Sequence, residues 1–146
     1  MTEKNLQYEC VKWFGEQFPE LQNLLIEINN DTYSRNQSMR RRAMGMRAGA
    51  GDLLFFYKKN LIFIELKNTE TRHKRQHILQ QFEFGESIRK QGGYHFFVNN
   101  LIQFQNIIEM TMKHPEYLDL AQKRNKKMIE NLLNNGKKTI VFRQLL

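Results

Sequence analysis

The stretch LIFIELK, residues 61–67, decides the fold predicted for this chain. It begins as a short apolar run of the kind that a sheet buries, and it ends with Glu65 and Lys67 two residues apart. Residues i and i+2 of a strand point to the same face, so these opposite charges project together from the strand end. The ordinary explanation is an ion pair, and the neighbouring sequence has to distinguish that pair from a functional site.

A second predicted strand, DLLFFY at residues 52–57, precedes this one at hairpin distance. A turn near residues 58–60 lays the start of one strand beside the end of the other, so Asp52 comes close to Glu65. Two carboxylates at one sheet edge repel each other unless a cation lies between them, and Mg²⁺ prefers such oxygen ligands. With Lys67 to hold water or stabilise charge on a phosphate, these side chains suffice for phosphodiester hydrolysis.

Helices and strands alternate along the rest of the chain. The strands predicted besides the hairpin lie at residues 24–28 and 94–98, while residues 31–51 predict a mobile loop with one or two helical turns. The resulting fold class is α/β, with a small mixed β-sheet flanked by helices. Residues 139–146, TIVFRQLL, are expected to form a last strand or an interface tail. Apolar spacing predicts helices over residues 3–18, 73–91, 101–112 and 115–134.

The charge of the chain favours anionic partners. The net charge is +8 and the sequence pI is about 9.7, which indicates nucleic acid first and an anionic membrane second. Residues 35–47 carry five arginines and no acid, shortly before Asp52. We interpret them as contacts to the DNA backbone, the alternative being a solvated basic face. Phosphate contacts carry little sequence information, so recognition of DNA shape is expected. The predicted nucleic-acid-binding residues are Arg35, Arg40, Arg41, Arg42, Arg47, Lys74 and Arg75.

Other features of the sequence concern the cellular compartment. The single cysteine, Cys10, excludes an intramolecular disulfide and fits a reducing compartment. No apolar run approaches the roughly 20 residues of a membrane helix. The polar N-terminus does not have the pattern of a secretory signal. The cytoplasm is therefore the expected location.

Histidines and aromatic residues offer weaker signals. His73 and His77 lie four apart in a predicted helix and could form half of a zinc site, but no further Cys or His lies at suitable spacing. A solvated or phosphate-facing helix side is the preferred interpretation. Among the aromatic residues, Tyr33 on the basic loop is the candidate for stacking on a base, whereas the paired phenylalanines of the strands are assigned to the core.

The combined motifs resemble a known family. GAGDLLFFYKKNLIFIELK, residues 49–67, is followed nine residues later by Gln76, then by a helix, GGYHFFV and another helix. EKNLQYECVKWFGEQFPE (residues 3–20), EINN and GMRAG match upstream segments. Together they resemble the VRR-NUC branch of the PD-(D/E)XK nuclease superfamily over roughly residues 3–110. Gly51 departs from the pattern, because the family usually has proline before the aspartate.

The resemblance implies a role for each matched residue. Asp52 and Glu65 would bind the metal together with the backbone carbonyl of Leu66. Lys67 would be the catalytic lysine.

Outside the hairpin, the resemblance implies three more contributions. Glu3, from the first helix, would reach the same metal, with Glu9 as the fallback. Gln76 would orient water or phosphate and so belong to the catalytic set. Gln7 lies one turn past Glu3 and would support it.

The sequence therefore predicts a Mg²⁺- or Mn²⁺-dependent endonuclease that hydrolyses DNA phosphodiesters. The resemblance implies a structure-selective enzyme, encoded by a bacteriophage or prophage, with branched DNA such as a Holliday junction as candidate substrate. A symmetric junction would suit a two-fold homodimer. Two alternatives stay open: a non-catalytic nucleic-acid-binding protein of the same fold, and a sequence-specific restriction-type endonuclease.

The predicted organisation has two parts. Residues 1–112 form the nuclease-like domain. Residues 113–146 form a C-terminal helical extension and tail, packed on the same domain or at a dimer interface.

Overall fold

A computed structural model of the protein describes residues 1–28 and 34–143. The chain forms a mixed sheet with helices on both faces, which confirms the predicted fold class. The helices are α1 (Glu3–Gln17), α2 (Arg35–Ala43), α3 (Arg75–Lys90), α4 (Leu101–Lys113) and α5 (Leu118–Leu133). The strands are β1 (Leu25–Glu27), β2 (Leu53–Tyr57), β3 (Asn60–Leu66), β4 (His73–Lys74), β5 (Tyr94–Val98) and β6 (Thr139–Ile140). Two short 3₁₀ helices lie at Pro19–Leu24 and Pro115–Tyr117.

The main sheet has the strand order β1-β2-β3-β5. Strands β1, β2 and β3 are antiparallel neighbours, and β5 joins β3 in parallel after the crossover through α3. Tyr57 pairs with Asn60 across the hairpin, so Lys58 and Lys59 form its turn. Lys58 has a positive φ of 54° there. A separate two-stranded sheet joins β4 to β6.

The alternation of side chains along β3 divides the core between the two faces of the sheet. Ile62, Ile64 and Leu66 are buried in the larger cluster, together with residues of α1 and α4. Glu65 lies on the opposite face, because its register partner in β5 is Phe97, which belongs to the smaller cluster with residues of α3 and α5. The strand period thus places Glu65 on the side of the sheet that α3 covers.

The free edge of β5 is covered by α5. The backbone N–H of His95 donates to the Gln122 side chain at 2.8 Å, and that of Phe97 donates to Asn125 Oδ1 at 2.9 Å. Asn125 Nδ2 in turn donates to the Phe97 carbonyl at 2.9 Å. These amide side chains occupy the hydrogen-bonding groups that an edge strand would otherwise offer to another chain. The helix of the C-terminal extension therefore closes one side of the sheet.

The end of the extension is also packed within the chain. Thr139 and Ile140 pair with Lys74 and His73, and the Arg75 N–H donates to the Lys138 carbonyl at 2.9 Å. Ile140 is 1% and Phe142 0% exposed, both in the smaller core cluster. Of the two alternatives for this segment, the strand is the one formed. Residues 144–146 lie outside the described residues.

Several predicted boundaries need correction. Residues 73–74 form a strand rather than the first residues of a helix, because they pair with β6. The first strand is confined to Leu25–Glu27, because Pro19 begins a 3₁₀ helix that extends to Leu24. The predicted loop contains a nine-residue helix, α2, whose first turn is capped by Ser34 accepting from the Gln37 N–H at 3.1 Å. Tyr33 lies outside the described residues.

No helix within residues 1–28 and 34–143 combines the length and apolarity needed to span a bilayer.

His95 makes the fold sensitive to acid. Its imidazole is buried, and burial lowers its pKa to about 3, with the Arg89 charge acting in the same direction. Below pH 6.5 this histidine is protonated in the unfolded chain, whereas in the folded chain it stays neutral until the pH approaches 3. The free energy of unfolding therefore decreases as the pH falls. Between pH 7 and 5 this group costs about 2 kcal/mol of unfolding free energy.

We therefore expect the His95→Gln variant to lose about 2 kcal/mol less than the wild type between pH 7 and 5 in urea titrations. His114→Gln, at an exposed site, is the matched control and should follow the wild-type curve. An unchanged pH dependence in His95→Gln would show that the imidazole does not resist protonation.

Candidate active site at the end of the hairpin

Asp52 is held at the end of β3 by three hydrogen bonds. Its backbone N–H donates to the Ile64 carbonyl at 2.9 Å, and its carbonyl accepts from the Ile28 N–H at 2.9 Å. Its Oδ2 accepts from the Leu66 N–H at 2.7 Å. Asp52 thus continues the β2–β3 ladder and directs its carboxylate to the residues that follow the buried strand.

The structure brings Asp52, Glu65 and Lys67 together, as their spacing predicts. The Asp52 carboxylate accepts from the backbone N–H of Leu66, the residue next to Glu65, and its charge acts on the Glu65 carboxyl group. Lys67 Nζ is 3.6 Å from Glu65 Oε1, and the two residues are each 2% exposed. The Glu65–Lys67 ion pair therefore exists, but a second carboxylate stands beside it.

Burial dominates the electrostatics of this group. Burial raises the pKa of Glu65 well above its usual range, the negative charge of Asp52 raises it further, and Lys67 opposes both effects. Burial also raises the pKa of Asp52, against the lowering effect of its hydrogen bond from Leu66. A buried carboxyl group with a second, half-buried one beside it favours the binding of a proton or a cation.

Glu3 reaches this group from the first turn of α1. Its charge raises the pKa of both Asp52 and Glu65, and its Oε1 lies 3.7 Å from His73 Nε2. The Thr2 side chain caps α1 by accepting from the Asn5 N–H at 3.1 Å, which fixes this helix end. The sequence reasoning found Glu3 but not His73, whose place beside it depends on the pairing of β4 with β6.

The donor set fits a hard divalent cation. Glu65 Oε2 and Glu3 Oε1 are buried and have no hydrogen-bond partner among the described residues. No three His, Cys, Asp or Glu side chains in residues 1–28 and 34–143 form a complete ligand group by themselves. Mg²⁺ is commonly held by one or two carboxylates with water and phosphate oxygens. Asp52 and Glu65 are compatible with that pattern, but the described side chains do not provide the closed set of a structural zinc site.

His73 and His77 do not share a helix. His73 lies in β4, and His77 in the first turn of α3. Burial lowers the pKa of both imidazoles, and the nearby charge of Lys67 lowers it further. The helical spacing that suggested half of a zinc site therefore does not apply to this pair.

The glutamine that contacts the site is Gln81, and Gln76 does not reach it. Gln81 is 4% exposed, and its Nε2 donates to Glu65 Oε1 at 2.7 Å. The Gln76 side chain is exposed in the first turn of α3 and makes no hydrogen bond to the described site residues. A signal for Gln81 was present, since it shares the inward face of α3 with Ile78 and Gly85.

A cleft of about 600 Å³ leads to Asp52. The cleft runs between α1 and the ends of β1 and β2, and Glu3 and Gln7 line it on the helix side. Its lining residues are Glu3, Lys4, Gln7, Tyr8, Val11, Glu27, Ile28 and Asp52.

A second groove is lined by Arg41 of α2, by the loop that follows α2 and by Phe63 and Phe84, and it meets this cleft at Ile28, which lines both. Arg35, Arg40 and Arg42 are exposed, whereas Arg41 is half-buried. The Arg47 guanidinium donates to the carbonyls of Arg42 and Met46 at 3.1 and 3.0 Å.

Two further predicted nucleic-acid contacts lie in the other sheet region. Lys74 is exposed in β4. Arg75 is half-buried, and its Nε donates to the Leu133 carbonyl at 2.9 Å. Arg75 therefore has a structural partner at the end of α5, which the sequence did not indicate.

Glycines let the segment before Asp52 approach its neighbours. Gly49 has φ 81°, and a Cβ at this position would lie 2.6 Å from the Gln80 carbonyl oxygen of α3. A Cβ at Gly51 would lie 3.1 Å from the Ile64 carbonyl oxygen. The absence of a side chain thus allows close approach of the backbone at both positions, and at Gly51 it does so where the family pattern has proline.

The comparison with solved structures identifies the fold. No family model matches the sequence, and no curated protein matches it significantly. The chain is similar to a solved structure described as a "VRR_NUC domain protein", with a TM-score of 0.62 and 18% identity, covering 75% of this chain and 87% of that one. The chain has a VRR-NUC fold. At this identity the likeness concerns the fold, and the chemistry has to be argued from the residues.

The two glutamines of α3 should differ in their effect on stability. Gln81→Ala removes the amide that donates to buried Glu65, so we expect a loss of about 1–3 kcal/mol in unfolding free energy. Gln76→Ala, on the exposed side of the same helix, should stay within about 0.5 kcal/mol of the wild type. Urea denaturation of both variants provides the measurement, and equal values would contradict the Gln81–Glu65 contact.

Proposed function

We propose that the protein is a divalent-metal-dependent nuclease that hydrolyses DNA phosphodiesters. The observation that carries the proposal is the half-buried Asp52 carboxylate beside the buried Glu65, with Lys67 Nζ 3.6 Å from Glu65. The three side chains lie together at one end of a rigid hairpin. An ion pair alone would account for Glu65 and Lys67, but not for a second carboxylate held beside them.

Asp52 and Glu65 would hold Mg²⁺ or Mn²⁺, with the Leu66 carbonyl and Glu3 as further ligands. When bound, such an ion polarises a phosphodiester and lowers the pKa of its bound water. Glu65 Oε2 and Glu3 Oε1 support this assignment, because both are buried without a hydrogen-bond partner among the described residues and such an oxygen is costly unless a ligand completes it.

The remaining side chains have separate tasks in this proposal. Lys67 stabilises negative charge on the phosphate or holds the attacking water. Gln81 donates to Glu65 Oε1, which leaves Oε2 directed away from that bond and open to a ligand. Gln76 is exposed on α3, so the role implied by the family pattern would be a contact to water or phosphate from the outer side of this helix.

The DNA would extend from the cleft across α2. The exposed Arg40 and Arg42 lie on the helix whose groove meets the catalytic cleft at Ile28. Arginines on an exposed helix bind phosphates and carry little sequence information, which supports selection by DNA shape. We extend the proposal to branched DNA such as a Holliday junction, cut by a two-fold dimer. The same resemblance supports a phage or prophage protein in a bacterial cytoplasm.

A cleavage panel tests the activity. Linear, flapped and four-way DNA should be cut with Mg²⁺ or Mn²⁺, and EDTA should abolish cutting. We expect Lys67→Ala and Glu65→Gln to lower the cleavage rate at least about 100-fold while DNA binding is retained, since the first removes the positive charge proposed to act on the phosphate and the second removes a charged metal ligand. Glu9→Gln, on α1 but outside the cleft, is the control and should cut normally.

Other outcomes of the panel are equally informative. A wild-type protein that binds DNA but cuts none of the substrates with Mn²⁺ would overturn the nuclease proposal in favour of a binding protein. Discrete bands from long duplex DNA would replace shape selection by sequence-specific cutting.

Salt dependence tests the role of α2. Arg40→Ala/Arg42→Ala should weaken DNA binding and reduce the slope of log K against log salt by about 1.8, because each lost phosphate contact on B-DNA releases about 0.9 counterions fewer. Lys123→Ala/Lys127→Ala removes the same charge from exposed positions of α5 and should leave the slope unchanged. Equal slopes for the α2 variant and the wild type would show that Arg40 and Arg42 do not contact DNA phosphates.

A further inference from the structure

One face of α1 borders the catalytic cleft with side chains that neither the core nor the proposed chemistry uses. Lys4, Tyr8 and Val11 follow one another at intervals of four and three residues, so they lie along one side of the helix. All three line the cleft that also contains Asp52. Tyr8 is 69% and Val11 44% exposed.

Folding does not explain an aromatic residue at position 8. The buried side of α1 is formed by Leu6, Cys10 and Phe14. Within the part of the chain that the structure describes, the Tyr8 ring has no aromatic partner and its hydroxyl has no hydrogen bond. A large exposed apolar surface beside a reactive site is characteristic of a binding surface.

The cleft has the dimensions of a small-ligand site. Its volume of about 600 Å³ lies within the range of clefts that take small ligands and is far too small for a duplex. Its walls combine an aromatic ring and a cation, Tyr8 and Lys4, with three carboxylates, those of Glu3, Glu27 and Asp52. A single nucleotide matches these groups, because its base can stack on the ring and its phosphate can meet the cation.

We propose that Tyr8 and Lys4 form a subsite for one unpaired nucleotide of the DNA strand, next to the phosphate that is cut. The proposal rests on the nuclease function proposed above and adds a source for its shape selection. A base inside a duplex has both faces covered by its neighbours, so only an unpaired base can stack on Tyr8. Unpaired nucleotides occur in flaps and arise at a branch point when the base pairs beside it open, whereas continuous duplex lacks them.

The binding experiment uses the whole protein in EDTA, so that no cutting interferes. The probe is a short fluorescent single-stranded DNA followed by anisotropy. Tyr8→Ala should weaken binding about 5- to 100-fold, and Tyr8→Phe, which keeps the ring, should stay within about twofold of the wild type. Tyr117→Ala, 55% exposed and outside the cleft, is the matched control and should bind normally.

An abasic strand separates stacking from other effects. On an oligonucleotide that keeps the sugar–phosphate backbone and lacks the bases, Tyr8→Ala and wild type should bind equally. A Tyr8→Ala variant that binds the normal strand as tightly as wild type, or loses the same affinity on the abasic strand, would overturn the subsite. Tyr8→Phe binding as weakly as Tyr8→Ala would also overturn it.

The subsite and the nuclease proposal fail in different ways. Wild-type protein that never cuts, together with a Tyr8→Ala defect confined to strands with bases, overturns the nuclease and keeps the subsite. Wild-type protein that cuts, together with unchanged binding by Tyr8→Ala, overturns the subsite and keeps the nuclease.

Discussion

The pairing of Asp52 with the end of β3 is the constraint on which the site depends. Its N–H donates to the Ile64 carbonyl and its Oδ2 accepts from the Leu66 N–H, so one residue fixes both the register and the carboxylate. A slip of one residue would turn Glu65 toward the cluster formed with α1 and α4 and bring Ile64 to the side of α3. Hydrophobic alternation along β3 excludes that slip, and the same alternation determines where the charges appear.

Holding Glu65 and Lys67 at 2% exposure opposes stability, because both charged groups lose their hydration. Lys67 and Gln81 offset this for Glu65 Oε1, while Oε2 stays without a partner among the described residues. A core selected only for stability would replace these side chains by apolar ones of similar volume. Their arrangement, with one oxygen satisfied and the other open, is the combination that a ligand-binding carboxylate requires.

The elements of the fold that could be predicted from the sequence are those that local hydrophobic periodicity determines. The β2–β3 hairpin and its charges follow from alternation and from the distance between Asp52 and Glu65, and both are where the pattern places them. Contacts between distant segments have no such local signal. Gln122 and Asn125 meet the edge of β5 through side-chain amides, and His73 meets Glu3 because β6 pairs with β4. Gln76 was assigned from the family resemblance, whereas the inward face of α3 points to Gln81, which contacts Glu65.

The coverage of the sheet explains why the cleft opens on the side of α1. Strand β5 is closed by the amide side chains of α5, so the edge beyond it cannot receive another strand. The opposite edge ends in β1, which has three residues, with Ile26 half exposed. Asp52 lies beside the end of this short strand, through its bond to the Ile28 N–H. Asp52 therefore lines the cleft together with Ile28, the residue after β1, and Glu3 of α1.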